Sequence, residues 1–197
     1  DRHSFDILLA SEVAPYAFEE RFLRMDASFV WARVTVSPLG AADNGASYSL
    51  WMIEDVTERK QMEDALRKAE ATYRDIFEHA VEGLFQAKPR GGYITANPAL
   101  AQMFGYDNPD ELIHSVTDLG NQLCTNPKAY KLFLKLLKDK GRVANYEMQA
   151  LCRDGLKIWV SVSASATMDE TGELAFVEGL VDDITDRKIS EMRLRRK

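Results

Sequence analysis

Hydrophobic and polar residues alternate with a period of two near the start of the chain. The alternation runs through 16–25 and resumes through 30–37, and the polar link Asp26-Ala27-Ser28 separates the two runs. Because successive side chains of a strand point to opposite faces, this pattern predicts a β-hairpin. A loop rich in Gly, Asn and Asp follows, and a third strand is predicted from Ser47 to Val56.

The same three-strand pattern returns 128 residues later, and both copies end in Asp-x-Thr. Trp31 corresponds to Trp159, and Asp55-Val56-Thr57 corresponds to Asp183-Ile184-Thr185. The register holds over about fifty residues without a gap, which indicates an internal repeat. The second set of strands is predicted at 143–153, 157–168 and 174–184.

A long helical pattern separates the two sets of strands. Residues 58–79 contain neither Gly nor Pro, and their apolar residues step by four and three, the spacing of a coiled-coil seam. An amphipathic helix packed on its own domain is the alternative interpretation, and the pattern does not separate the two. A shorter helical pattern occupies 5–10. The seam residues are Met62, Leu66, Ala69, Tyr73 and Ile76.

The region between residue 80 and the second set of strands predicts a hairpin and several helices. Residues 84–88 and 93–96 are strand-like, and the pair Gly91-Gly92 between them supplies the positive φ that a tight turn needs. Asn-Pro pairs provide an N-cap and a first helical residue. These pairs begin at Asn97, Asn108 and Asn126.

Composition and charge limit the possible functions. The chain has 197 residues, of which 46% are apolar and 28% charged, and its net charge is −6. These values are typical of a soluble globular protein, and the negative charge argues against general nucleic-acid binding. No apolar run approaches the length of a membrane span, and no signal peptide begins the chain. We therefore expect a cytoplasmic protein, or the cytoplasmic part of a membrane-anchored one.

We find no catalytic or metal-binding motif. The three histidines, His3, His79 and His114, lie far in sequence from any nucleophile and lack the spacing of a metal site. Cys124 and Cys152 have neither metal-like spacing nor further cysteines to pair with, which favours a reducing compartment. We therefore expect a protein that is not an enzyme.

Six short segments follow one another in an order and at a spacing that a known family shares. They are Tyr93-Ile94-Thr95-Ala96-Asn97-Pro98, Met103-Phe104-Gly105-Tyr106, Glu111-Leu112, Arg153-Asp154-Gly155, Ile158-Trp159-Val160 and Asp182-Asp183-Ile184-Thr185-Asp186-Arg187-Lys188. Together they resemble the PAS sensory-domain family with its C-terminal PAC portion. The resemblance covers 71–187 as a full domain and about 16–57 as the C-terminal part of another. It implies an α+β fold, with a five-stranded antiparallel sheet, short helices on one face, and linker helices before and after. It also implies a non-sequential strand order, which we expect to place the two early strands in the middle.

The repeat and the resemblance together divide the chain into four predicted parts. These are the C-terminal part of a first PAS domain at 1–57, a linker helix at 58–79, a complete second PAS domain at 80–187, and the start of an output linker helix at 188–197. Linker helices of the family carry signals between domains or to an output enzyme. We therefore expect a regulatory module of a bacterial multidomain signalling protein. Its covalently attached output domain is a diguanylate cyclase or a histidine kinase, and the sequence does not separate the two.

Three groups of residues are candidates for this function. The two Asp-x-Thr segments are predicted to relay signals in addition to capping the helices that follow them, through Asp55, Thr57, Asp183 and Thr185. A homodimer is predicted to form through the coiled-coil seam together with Trp31 and Trp159. Either a small-molecule pocket or a closed core is predicted from one set of side chains, because the two differ only in volume. That set is Phe85, Ile94, Met103, Phe104, Leu123, Phe133, Tyr146, Met148 and Val160.

Two further functions remain alternatives to ligand sensing. One is a ligand-free dimerisation and spacer module, and the other is a haem- or flavin-bound redox or gas sensor. Haem-binding relatives usually place a histidine on the long helix before the third strand, and 127–140 has none. Flavin photoreceptors carry Asn-Cys-Arg-Phe-Leu-Gln, whereas this chain has Asn-Gln-Leu-Cys-Thr-Asn at 121–126. No motif indicates a cofactor, so its identity stays unknown.

Overall fold

The computed structural model describes residues 16–41 and 47–195. The chain divides into two compact units, with the boundary between Ala71 and Thr72. The short helix predicted over 5–10 lies outside the described residues. Among the described residues, we find no helix with both the length and the apolar character needed to cross a membrane.

The first unit contains a three-stranded antiparallel sheet in the order β1-β2-β3. The strands are β1 (Tyr16–Leu23), β2 (Phe29–Ala41) and β3 (Ser47–Asp55), and helix α1 (Thr57–His79) follows. In the turn between β1 and β2, the Asp26 carboxylate accepts hydrogen bonds from the amide and hydroxyl of Ser28, at 2.9 and 2.6 Å. The hairpin that the alternation predicts is therefore present.

The sheet of the first unit buries only part of its apolar face. Val34 and Val36 on the middle strand are buried, but their partners on β3, Ile53 and Trp51, are 68% and 41% exposed. Because stabilisation follows the apolar area removed from water, this sheet gains less from burial than a fully covered one.

The second unit contains a five-stranded antiparallel sheet in the order β5-β4-β8-β7-β6. This confirms the predicted fold class and the non-sequential strand order, but the expected central position of the two early strands is wrong. The last strand, β8, pairs on both sides and lies in the middle, while the early strand β5 lies at an edge. The strands are β4 (Gly83–Ala87), β5 (Tyr93–Ala96), β6 (Arg142–Leu151), β7 (Lys157–Met168) and β8 (Leu174–Asp183). The helices are α2 (Pro98–Met103), α3 (Pro109–Ser115), α4 (Leu119–Gln122), α5 (Pro127–Lys140) and α6 (Thr185–Arg195).

Helices α2, α3 and α5 begin at the three Asn-Pro pairs. In each, the Asn side chain accepts a hydrogen bond from a backbone amide of the first turn. Asn97 is also fully buried. Its Oδ1 accepts from the Leu84 amide at 2.9 Å and the Leu100 amide at 3.0 Å, and its Nδ2 donates to the Glu82 carbonyl at 2.9 Å. This side chain therefore joins the start of β4 to α2 without leaving either polar atom unpaired.

The core of the second unit lies between one face of the sheet and the helices. On β7, alternate residues from Ile158 to Ala164 are buried, as the alternation predicts. On the opposite face Trp159 is half-buried, and Ser161 is buried as well. The helices contribute the fully buried side chains Leu100, Leu112 and Leu137.

Substitution of Gly179 tests how closely β7 and β8 approach. A Cβ at this position would lie 2.2 Å from the Ser163 carbonyl oxygen and 2.8 Å from the Ala164 Cβ. Because the strands would have to separate, we expect Gly179→Ala to lower the free energy of unfolding by about 1–3 kcal/mol in urea denaturation. Glu178→Ala, at the neighbouring exposed position, is the control and should change the free energy of unfolding by less than about 0.5 kcal/mol. Equal stability of the two variants would contradict the close approach.

Candidate functional site

The second Asp-x-Thr segment forms a hydrogen-bonded junction between a sheet and a helix. Strand β8 ends at Asp183, and α6 begins at Thr185. The Thr185 hydroxyl accepts a hydrogen bond from the Trp159 amide of β7 at 2.9 Å. The Asp183 carboxylate accepts one from the Thr185 amide at 2.9 Å, and the Ile184 amide donates to the Trp159 carbonyl at 2.8 Å. The start of α6 is therefore bonded to two neighbouring strands.

The first Asp-x-Thr segment has the same geometry. The Thr57 hydroxyl accepts from the Trp31 amide at 2.9 Å, and the Asp55 carboxylate accepts from the Thr57 amide at 2.9 Å. The Val56 amide donates to the Trp31 carbonyl at 2.8 Å. Hydrogen bonds from Thr57 hold the pKa of the Asp55 carboxyl below its ordinary value. The repeat seen in the sequence is thus a repeat of one three-dimensional junction.

A glutamate on β6 adds an ion-pair cluster to the second junction. Glu147 contacts Arg187 at 2.8 Å and also contacts Lys188, both in the first turn of α6. The Lys188 Nζ lies 5.6 Å from the centre of the Trp159 ring. The hydrogen bond from Lys188 is the main cause that lowers the pKa of Glu147. Helix α6 is consequently attached to β6 as well as to β7 and β8.

The first junction carries the equivalent cluster. Glu19 on β1 contacts Arg59 and Lys60, each at 2.6 Å, and the Lys60 Nζ lies 5.4 Å from the centre of the Trp31 ring. The hydrogen bond from Lys60 is the main cause that lowers the pKa of Glu19. Neither glutamate was among the functional residues predicted from the sequence. The signal was available, because Glu19 and Glu147 occupy the same position of the repeat and Arg-Lys follows each Asp-x-Thr after one residue.

The two junctions differ beside the aspartate. Arg24 forms an ion pair with Asp55 at 3.1 Å in the first unit. The residue at the corresponding position of the second unit is Cys152, which is buried. Burial is the main cause that raises the pKa of the Cys152 thiol, and the charge of Asp183 adds to it. Within the described part of the chain, Asp183 has no counterpart of the Arg24 ion pair.

A small cavity lies between the helices and the sheet of the second unit. Its volume is about 60 Å³. Four of its lining residues, Val160, Val162, Val177 and Val181, belong to β7 and β8, the strands that meet at the second junction. Of the nine predicted pocket residues, those that line it are Phe85, Phe104, Leu123, Phe133, Met148 and Val160.

The other three predicted pocket residues do not line the cavity. Met103 and Tyr146 pack against the surrounding core. Ile94 is 40% exposed, so its assignment to the pocket is wrong. The register between β4 and β5 shifts at this point, and Ala87 pairs with Tyr93 instead of Ile94. The extra residue of this bulge reverses the alternation and gives the cavity Tyr93.

Tyr93, Tyr130 and Cys124 line the cavity but were not among the predicted pocket residues. Burial raises the pKa of the Cys124 thiol to about 11 and also raises the pKa of both tyrosine hydroxyls. All three groups are therefore neutral near pH 7. The Tyr130 hydroxyl donates a hydrogen bond to the Pro89 carbonyl at 3.2 Å.

The cavity does not fit a haem or a flavin. In another protein, an engineered cavity of about 150 Å³ binds one benzene molecule. The present cavity has less than half that volume, whereas a flavin carries three fused rings. Its lining residues include no histidine that could bind a haem iron. In the part of the chain that the structure describes, no cluster of three or more His, Cys, Asp or Glu could hold a metal ion.

The predicted coiled-coil seam on α1 is open to solvent. No described residue of this helix is buried, and Ala69 is exposed like its neighbours. Tyr73 and Ile76 also border a groove along the outer face of the second sheet. Trp31 and Trp159 are half-buried beneath their lysine partners. The large side chains of the seam are between 61% and 68% exposed, namely Met62, Leu66, Tyr73 and Ile76.

Comparison with known proteins gives one family. A family model described as PAS domain matches residues 5–58 and 81–186. The chain is 25% identical over 139 residues to the sensor histidine kinase TmoS of Ectopseudomonas mendocina, an alignment that covers 68% of this chain and 14% of that protein. It is 24% identical over 154 residues to sporulation kinase E of Bacillus subtilis (strain 168), with 76% of this chain and 19% of that protein covered. The chain thus spans less than a fifth of the length of either relative.

A solved structure agrees at the level of the fold. An RNA-binding light-oxygen-voltage receptor aligns with a TM-score of 0.51 and 13% identity. The alignment covers 100% of this chain and 86% of that one. An identity this low shows a shared fold alone.

Removal of the Thr185 hydroxyl tests the second junction. Thr185→Val keeps the shape of the side chain but leaves the Trp159 amide without its acceptor. We expect the free energy of unfolding to fall by about 1–2 kcal/mol in urea denaturation, and the Trp159 amide to exchange faster with solvent. Thr167→Val, at an exposed position of β7, is the matched control. Unchanged exchange at Trp159 in the Thr185 variant would show that the hydroxyl does not hold this strand.

Proposed function

The chain belongs to the PAS domain family, and from that premise we propose that it is a non-catalytic sensory module which relays a signal through its Asp-x-Thr junctions. The signal originates in the cavity of the second unit and passes to α6. This proposal assigns the chain no chemical reaction. Its function is to couple the binding of a molecule in the cavity of the second unit to the position of α6.

The observation that carries this proposal is the direct connection between cavity and junction. Val160 lines the cavity and pairs with Asp183 across β7 and β8. The next residue, Trp159, donates its amide hydrogen bond to Thr185 of α6. A change in the cavity that displaces this pair of strands therefore displaces the start of α6.

The number of attachments explains why the helix follows the sheet. A helix end held by a single cap frays easily, since the first-turn amides have few other partners. Here Glu147, Trp159 and Asp183 attach α6 to three adjacent strands. A rotation of the sheet edge then becomes a rotation of the whole first turn. The equivalent contacts at Thr57 give α1 the same kind of start.

A histidine kinase is our proposed output domain. Both relatives named above are kinases by name, and the chain matches only a small part of each. A segment of this size fits a sensor placed ahead of a much longer catalytic region. A diguanylate cyclase output is the alternative, and the sequence of the attached domain decides between them.

A second candidate function is dimerisation through α1. The exposed seam is apolar, follows heptad spacing, and lies on a helix with no buried residue among those described. A second copy of this chain is the proposed occupant, because a heptad seam is self-complementary in a parallel coiled coil. This function is compatible with sensing, and it also suits a spacer module that binds no ligand.

Loss of the second junction should uncouple the output domain. In the full-length protein, we expect Asp183→Ala and Thr185→Ala to leave the second unit folded by circular dichroism. Their autophosphorylation rate should approach that of a variant lacking residues 80–183, because the helix no longer follows the sheet. Asp182→Ala, at an exposed neighbouring position, is the control and should keep the wild-type rate. If the junction variants kept the wild-type rate while the deletion changed it, the relay role would be wrong.

Substitutions on α1 test the dimer. We expect Leu66→Glu to raise the dimer dissociation constant about tenfold or more, because a carboxylate cannot be buried unpaired in the seam. Ala71→Glu places the same charge on the opposite side of the helix and should leave the dimer dissociation constant unchanged. Sedimentation velocity measures this constant for both variants. A wild-type chain that stays monomeric at high concentration would contradict the proposed interface.

A further inference from the structure

We infer that the cavity of the second unit binds a neutral molecule of about four non-hydrogen atoms or fewer, with one hydrogen-bonding oxygen that contacts the Tyr93 hydroxyl. Three-carbon alcohols and ketones belong to this class. The inference rests on the proposed sensory function and names the ligand class of that same site.

The size limit follows from the volume. A cavity of about 60 Å³ holds about four groups the size of a water molecule when each needs roughly 15 Å³. A molecule the size of benzene needs more than twice that space. The walls leave little room to expand, because aromatic rings pack against one another around them. The Phe133 ring centre lies 5.3 Å from that of Tyr146 and 6.3 Å from that of Tyr130.

The need for one oxygen follows from the Tyr93 hydroxyl. Buried tyrosine hydroxyls usually have a hydrogen-bond partner. The neighbouring hydroxyls of Tyr130 and Tyr146 have them, in the carbonyls of Pro89 and Ala129 at 3.2 and 3.0 Å. Among the described residues, no group forms a hydrogen bond with the Tyr93 hydroxyl, and this hydroxyl is not fully enclosed, because every fully buried side-chain nitrogen or oxygen among them has a partner. This residue lines the cavity, so its hydroxyl is the polar group available to a bound molecule.

The position of Tyr93 is a consequence of the bulge in β5. The register shift places Tyr93 opposite Ala87, which is itself a lining residue. The Tyr93 and Phe85 rings then pack in a T-shaped arrangement, with 5.8 Å between ring centres. A second aromatic wall therefore fixes the ring that carries the hydroxyl.

The neutral charge follows from the rest of the lining. Most of it is aliphatic or aromatic, and an ion buried there without a partner would be strongly disfavoured. Burial also raises the pKa of the Tyr93 hydroxyl and of the Cys124 thiol, so neither supplies a counter-charge. Lys88 lines the cavity too, but the residue is exposed to solvent.

Binding of 2-propanol to the chain tests this inference. We expect saturable shifts of the Val160, Val177 and Met148 methyl signals in ¹H–¹³C NMR, and no such shifts with benzyl alcohol, which exceeds the cavity. Tyr93→Phe removes only the hydroxyl and should weaken 2-propanol binding by roughly three- to tenfold, the effect of one hydrogen bond. Tyr146→Phe is the matched control, because Tyr146 does not line the cavity and its hydroxyl is already bonded to the Ala129 carbonyl, and it should keep the wild-type affinity.

Three results would overturn the inference: no saturable shift in the wild-type chain, equal affinity of the Tyr93 variant, or a resident water that 2-propanol does not displace from the Tyr93 hydroxyl.

The proposed relay is tested separately. If 2-propanol failed to bind but the Asp183 and Thr185 variants uncoupled the kinase, the ligand class would be wrong and the relay would stand. If it bound as expected and those variants kept wild-type activity, the relay would be wrong instead.

Discussion

The hydrogen bond from the Trp159 amide to the Thr185 hydroxyl is the contact on which the other features depend. It joins the backbone of an inner strand to the first residue of a helix, so the helix has no independent starting position. The Asp183 carboxylate orders the same turn because it accepts a hydrogen bond from the Thr185 amide. Glu147 extends the attachment to the next strand through charged contacts that are exposed and screened by salt. The hydrogen bonds of Thr185 therefore define the junction, and the ion pairs restrict its orientation.

The cavity and the junction share the same two strands. A packed interior transmits displacement because its side chains have few voids into which to relax. Val160 connects the two directly, since it lines the cavity and pairs with Asp183. The first unit repeats the junction at Thr57, but Arg24 restrains its aspartate, whereas Cys152 holds that place in the second unit. Among the described residues, the aspartate of the second junction thus lacks the ion pair that restrains the aspartate of the first.

Local rules accounted for most of the fold and for part of the site. Strand alternation, the Asn-Pro helix starts and the Asp-x-Thr ends depend on neighbouring residues, and those predictions agree with the structure. The assignment of Ile94 to the pocket was wrong, because a bulge depends on the pairing of β4 with β5. Glu147 was assigned no role although the repeat marks its position, because its partners Arg187 and Lys188 lie about forty residues away in sequence. The volume of the cavity was beyond sequence analysis, since a core and a pocket use the same side chains.

Native-state hydrogen exchange across the second junction tests the central claim most directly. If the sheet and α6 form one mechanical unit, the amides of Trp159, Ile184 and Lys188 open together, with the same opening free energy and the same dependence on denaturant. The account predicts this common value. It would be contradicted if the Lys188 amide exchanged as fast as a frayed helix end while the Trp159 amide stayed protected, because α6 would then move independently of the strands that precede it.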